Sequence, residues 1–141
     1  MSVPSGTYYS EQFAGGITGH NLDNAANLSN CVNSGEITAT GGTSNFAGGI
    51  SARSNNGTLS NCYNSNTVKT SGGGSNHAGG IVGYIVISEL TNCANTGGGT
   101  ASGGKTKNNA GGVVGYYVMS TEATDCVSSG TVSADGTGVA A

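Results

Sequence analysis

Apolar residues come in short bursts along this chain, and the bursts return at a fixed interval. Ile17, Ile50, Ile81 and Val113 form one apolar series. Leu28, Leu59, Leu90 and Ala123 form a second, and Ile37, Val68, Gly99 and Val132 a third. Between them lie Gly, Asn, Ser and Thr, which favour turns and weaken helices. No 3.6-residue apolar period survives in any stretch, so the pattern predicts three short strands per unit, joined by turns.

Two further markers keep the same step. Ala-Gly-Gly followed by Ile or Val begins at Ala14, Ala47, Ala78 and Ala110, and the four cysteines stand at Cys31, Cys62, Cys93 and Cys126. The unit is therefore about 32 residues long and occurs four times. Like residues that must cover like residues predict a stack: an all-β, parallel β-solenoid (β-helix) of about four coils. Each strand would pair with its copy one coil away, at about 4.8 Å. The expected organisation is one domain over 1–141, with units near 14–46, 47–77, 78–109 and 110–141 and a partial N-terminal coil at 1–13.

Stacking selects the candidate residues. Cys31, Cys62, Cys93 and Cys126 become an interior ladder of small apolar side chains. Ladder neighbours have parallel Cβ vectors about 4.8 Å apart, whereas a disulfide needs converging vectors near 3.8 Å, so reduced thiols are expected over two disulfides. Asn30, Asn61, Asn92 and Asp125 each precede a cysteine and predict a corner ladder whose amides bond along the stack. Asn33, Asn64, Asn95 and Ser128 mark a second turn. His20, Arg53, Tyr84 and Tyr116 share a column that alternation turns outward, a candidate contact stripe for a partner or sugar. His77 falls in a column with Phe13, Phe46 and Asn109 and reads as a packing or loop residue. Glu89 and Glu122 stack as a carboxylate pair able to hold a cation or share a proton; the plainer reading is an exposed polar edge continuing through Asn27 and Thr58. The Gly/Ser/Asn-rich segments 41–46, 71–77 and 103–109 read as variable loops.

Composition narrows the partners. Charged residues make up 8% of the chain and the net charge is −3, which argues against a nucleic-acid partner. The longest apolar run, Ile81 to Ile87, is far too short to span a membrane. Neither CxxC nor HxxxH occurs, so no metal or other cofactor is expected. The first residues lack a basic start followed by an apolar block, so no signal peptide is expected in this chain. That leaves open a signal already removed, an excerpt of a longer protein, or a protein that stays inside the cell.

The stretches GGIVGY…LTNCANTG, from Gly79, and GGVVGYYVMSTEATDCVSSGTVS, from Gly111, resemble the GLUG motif, and SNNGTLSNCYNSNTV, from Ser54, is similar to its second half. The resemblance covers roughly residues 14–134; the first two copies depart from it, with ITGH and ISAR where IVGY stands later. The GLUG repeats belong to large bacterial surface proteins, among them adhesins and immunoglobulin A-cleaving peptidases. The resemblance implies an extracellular or bacterial cell-surface location and an accessory structural or binding role, with no family catalytic residue mapping onto this chain.

The ends sharpen the functional expectation. A coil of about 32 residues has a contour near 100 Å, so each end exposes long rows of unpaired N–H and C=O groups. That predicts a non-enzymatic structural or adhesive repeat protein, a homo-oligomer or filament built by end-to-end β stacking, or a segment of a longer solenoid. The alternatives are an adhesin module binding a glycan or host surface protein, and a small β-helix enzyme. Four coils rise only about 19 Å, which leaves little room for a substrate cleft.

Overall fold

The computed structural model describes residues 10–21, 27–119, 121–136 and 139–140, so most of the expected partial coil at 1–13 lies outside the described residues. All regular structure among them is β, and strands pair in parallel with their counterparts one coil away. The first sheet stacks Glu11–Gly15, Ser44–Gly48, Ser75–Gly79, Lys107–Gly111 and Val139–Ala140. The second stacks Thr18–Asn21, Ser51–Asn55, Val82–Val86 and Val114–Val118. A third, of three-residue strands, holds Asn27–Ser29, Thr58–Ser60, Glu89–Thr91 and Glu122–Thr124. The fourth is narrower still, with Val32–Asn33, Tyr63–Asn64, Ala94–Asn95 and Val127–Ser128. Ile37–Thr40, Val68–Ser71, Gly99–Ser102 and Val132–Asp135 make the fifth.

The β-solenoid of about four coils is as the repeat predicts, and its columns keep the expected register. Leu28, Leu59, Leu90 and Ala123 pair in sequence, as do Ile37, Val68, Gly99 and Val132. The amides of Ile17, Ile50 and Ile81 bond the carbonyls of Ile50, Ile81 and Val113.

The strand number is corrected: each coil carries five strands, not three. One added break falls at the Gly-Gly pair, where the chain doubles back and lays the second sheet against the first. A Cβ on Gly15, Gly48, Gly79 or Gly111 would collide with the carbonyl of Thr18, Ser51, Val82 or Val114, three residues on. That approach admits only glycine. The other break falls at Asn30, Asn61, Asn92 and Asp125, which adopt φ of 55, 52, 52 and 53°. Asn and Asp tolerate this left-handed region best after glycine, and they end the three-residue strands.

The fold-back gives the molecule two apolar cores. Ile50, Leu59, Cys62, Ile81, Val82, Ile85, Leu90 and Cys93 pack together where the second and third sheets face the cysteine corner. A small-residue core of Ala39, Ala47, Val68, Ala78 and Ala101 joins the fifth sheet to the first. Segments 41–46, 71–77 and 103–109 are corrected from variable loops: they run into first-sheet strands, and Asn45, Asn76 and Asn108 within them are buried.

Candidate functional site

Side chains of one type stand one above another, so the chemistry of this surface is a chemistry of columns. The cysteine ladder is in place. All four thiols are free; Cys62 and Cys93 are buried, while Cys31 and Cys126 are half-buried on the terminal coils. Each donates to the carbonyl two residues before it: Ser29, Ser60, Thr91 and Thr124, at 3.4–3.5 Å. The hydrogen bond with Cys62, reinforced by burial, pushes the Cys93 thiol well above its ordinary range. The same bond draws Cys62 down. Burial raises Cys31.

Three asparagine columns differ sharply in what they do. Asn30, Asn61, Asn92 and Asp125 are exposed, and Asn92 Nδ2 donates to Asn61 Oδ1 at 2.7 Å. In the column of Asn33, Asn64, Asn95 and Ser128 the three asparagines are buried and Ser128, on the last coil, is exposed. Asn33 donates to Asn64 at 2.7 Å, Asn64 to Asn95 at 2.9 Å, and Asn95 to Ser128 Oγ at 3.4 Å. Asn95 also donates to the Gly112 carbonyl at 2.8 Å, which ties this column to the Gly-Gly bend. A third ladder escaped the sequence reading: Asn45 donates to Asn76 and Asn76 to Asn108, both at 2.9 Å. Its signal was present, an Asn two residues before Ala-Gly-Gly in three coils.

The expected contact stripe has a different setting. His20, Arg53, Tyr84 and Tyr116 do share a column, but all four are half-buried. They lean on the column of Phe13, Phe46 and His77 across the fold-back. Phe13 stacks on His20 at 4.6 Å and on Phe46 at 5.0 Å, and Phe46 on His77 at 5.2 Å. Tyr84 stacks on Tyr116 at 5.5 Å, while Arg53 sits over the Tyr84 ring at 5.2 Å and Lys107 over Tyr116 at 5.6 Å.

His77 is buried within this wedge, and Asn109 Nδ2 lies 3.1 Å from its Nδ1. Burial, helped by the charge of Lys107, lowers its pKa to about 4. Burial, then Arg53, also lowers His20. The unfolded chain takes up a proton near 6.5 and the folded chain only near 4. The contribution of neutral His77 is therefore full above pH 6.5 and lost as the pH falls toward 4. Between pH 7.5 and 5 this amounts to about 2 kcal/mol. His77→Phe, which copies Phe46, removes that increment; urea midpoints of parent and variant compared across this range check it.

Glu89 and Glu122 are paired on adjacent strands and exposed. They border an open groove of about 710 Å³ with Asn27, Asn56, Thr58, Ser88 and Thr121. Among the described residues no group of three or more His, Cys, Asp or Glu gathers as a metal would require. No described helix is long and apolar enough to cross a membrane.

The terminal coils expose what the middle coils bury. Ile50 and Ile81 are inaccessible, whereas Ile17 of the same column is 48% exposed. Val132 is likewise exposed on the last coil, whereas Val68 of the same column is inaccessible. Ala123 replaces the leucine of its column and leaves an apolar recess of about 400 Å³ lined by Val113, Val114, Tyr117, Thr121 and Cys126. Comparison with family models, curated proteins and solved structures finds no match for this chain.

Proposed function

We propose that the chain is a non-enzymatic structural repeat of an extracellular or cell-surface protein, whose solenoid is prolonged across its open ends. One observation carries this reading: core columns run bare to both terminal coils. An apolar recess of about 400 Å³ and unpaired sheet edges are faces that proteins ordinarily cover. The resemblance to GLUG repeats of bacterial adhesins agrees with such a role. The chain's thiols, imidazoles and amides are taken up in ladders that hold coil to coil. A sugar platform needs an open aromatic face; Arg53 and Tyr116 flank the Tyr84 ring and Lys107 lies over that of Tyr116, so the structural reading is favoured over glycan binding.

The test is microscopy of negatively stained protein, with sedimentation over a wide concentration range. Rods of constant width whose length grows with concentration are expected. Short, single-sized particles at every concentration overturn the reading.

A further inference from the structure

We propose that the occupant of the C-terminal end is the N-terminal end of a second copy, docked head-to-tail in the register that successive coils of one chain already use. The inference rests on the function proposed above and names its partner. Continuity with the coil-on-coil interface is the first argument. The last coil ends its columns in Val113, Ala123, Cys126, Ser128 and Val132, and the first coil begins the same columns with Ile17, Leu28, Cys31, Asn33 and Ile37. Apolar groups would meet apolar groups, and Leu28 of the second copy would enter the recess that Ala123 leaves open.

Charge is the second argument. Lys107 stands in the column that Glu11 begins, after Ser44 and Ser75 and below Val139, whose place the second copy's Glu11 would take. The acids of the last coil, Glu122, Asp125 and Asp135, would lie against Asn27, Asn30 and Thr40. Glu36 on the first coil is already paired with Lys69 at 3.0 Å. In this register no carboxylate of the described residues opposes another, although Glu89 and Glu122 do so within the chain. His20 would close the outer face of Tyr116, continuing the ring column.

Docking has one local requirement. Val139–Ala140 pairs with Lys107 and Asn108 in the first sheet. The second copy's Glu11–Gly15 would replace that two-residue strand with a five-residue one. Its Phe13, Ala14 and Gly15 would lie over Asn109, Ala110 and Gly111, as in the parent register.

The experiment treats concentrated protein with a short bifunctional thiol reagent and maps the linked peptides of the dimer band. Cys31 of one copy joined to Cys126 of another is expected, and the band should vanish in Cys31→Ser and in Cys126→Ser. Lys107→Glu should raise the concentration needed for assembly about five-fold, and Glu11→Lys in the same chain should restore it. Rods that link Cys126 to Cys126, link Cys31 to Cys31, or give no such link overturn the head-to-tail register while leaving end-to-end growth standing. Absence of any elongated assembly overturns the functional reading beneath it.

Discussion

Gly79→Ala is expected to cost at least about 3 kcal/mol, or to prevent folding, although it adds a single methyl group. The new carbon would collide with the Val82 carbonyl and stand 2.6 Å from the Gly115 nitrogen. Both obstacles are backbone, and no side-chain rotamer relieves them. The fold-back would have to open, and with it the contact between the first two sheets that carries the wedge of rings. The four-fold recurrence of glycine at 15, 48, 79 and 111 has this one cause. Gly35→Ala is the matched control, because its added carbon meets only Asn33 Oδ1, at an ordinary 3.6 Å. Urea unfolding followed by far-ultraviolet circular dichroism should show the control within about 0.5 kcal/mol of the parent. Parental stability in Gly79→Ala would mean that the bend is looser than described.

The repeat made the solenoid legible because spacing needs no knowledge of which way a side chain points. Register followed for the same reason: Phe46 over His77 and Arg53 over Tyr84 are consequences of counting. Path within the coil was harder to read. Glycine carries no side chain to mark a face, so nothing in the sequence signalled the reversal between Gly79 and Val82. The setting of Tyr84 was hidden with it, since the reversal lays that half-buried ring against Phe46 and His77. Corners were legible where Asn or Asp occupies them. They were hidden at Ile87 and Met119, which hold φ of 46 and 66° although their side chains disfavour that region. Buried polar ladders were the other blind spot. A search for apolar residues passes over an Asn whose amide is satisfied by its own copies.

That blind spot yields the second large effect, because the buried ladder should matter more than the exposed one read from the sequence. Asn76 is inaccessible and donates to Asn108 Oδ1 at 2.9 Å and to the carbonyls of Gly72 and Ser102 at 3.0 Å. It also accepts from Asn45 at 2.9 Å. Asn76→Ala removes these bonds and leaves a cavity, for an expected loss of about 3 kcal/mol. Asn92→Ala breaks one exposed bond to Asn61 and places Ala at φ 52°, which together cost about 1 kcal/mol. Asn76→Asp separates hydrogen bonding from packing. It keeps the volume, but a carboxylate cannot donate to Asn108, Gly72 or Ser102, and a buried charge finds no cation there. Its loss should equal or exceed that of Asn76→Ala at neutral pH and shrink as the pH falls and the carboxyl is protonated. Equal losses for Asn76→Ala and Asn92→Ala in the same urea titrations would show that the interior amides do not hold the coils together. The solenoid would then rest on its backbone ladders and aliphatic columns alone.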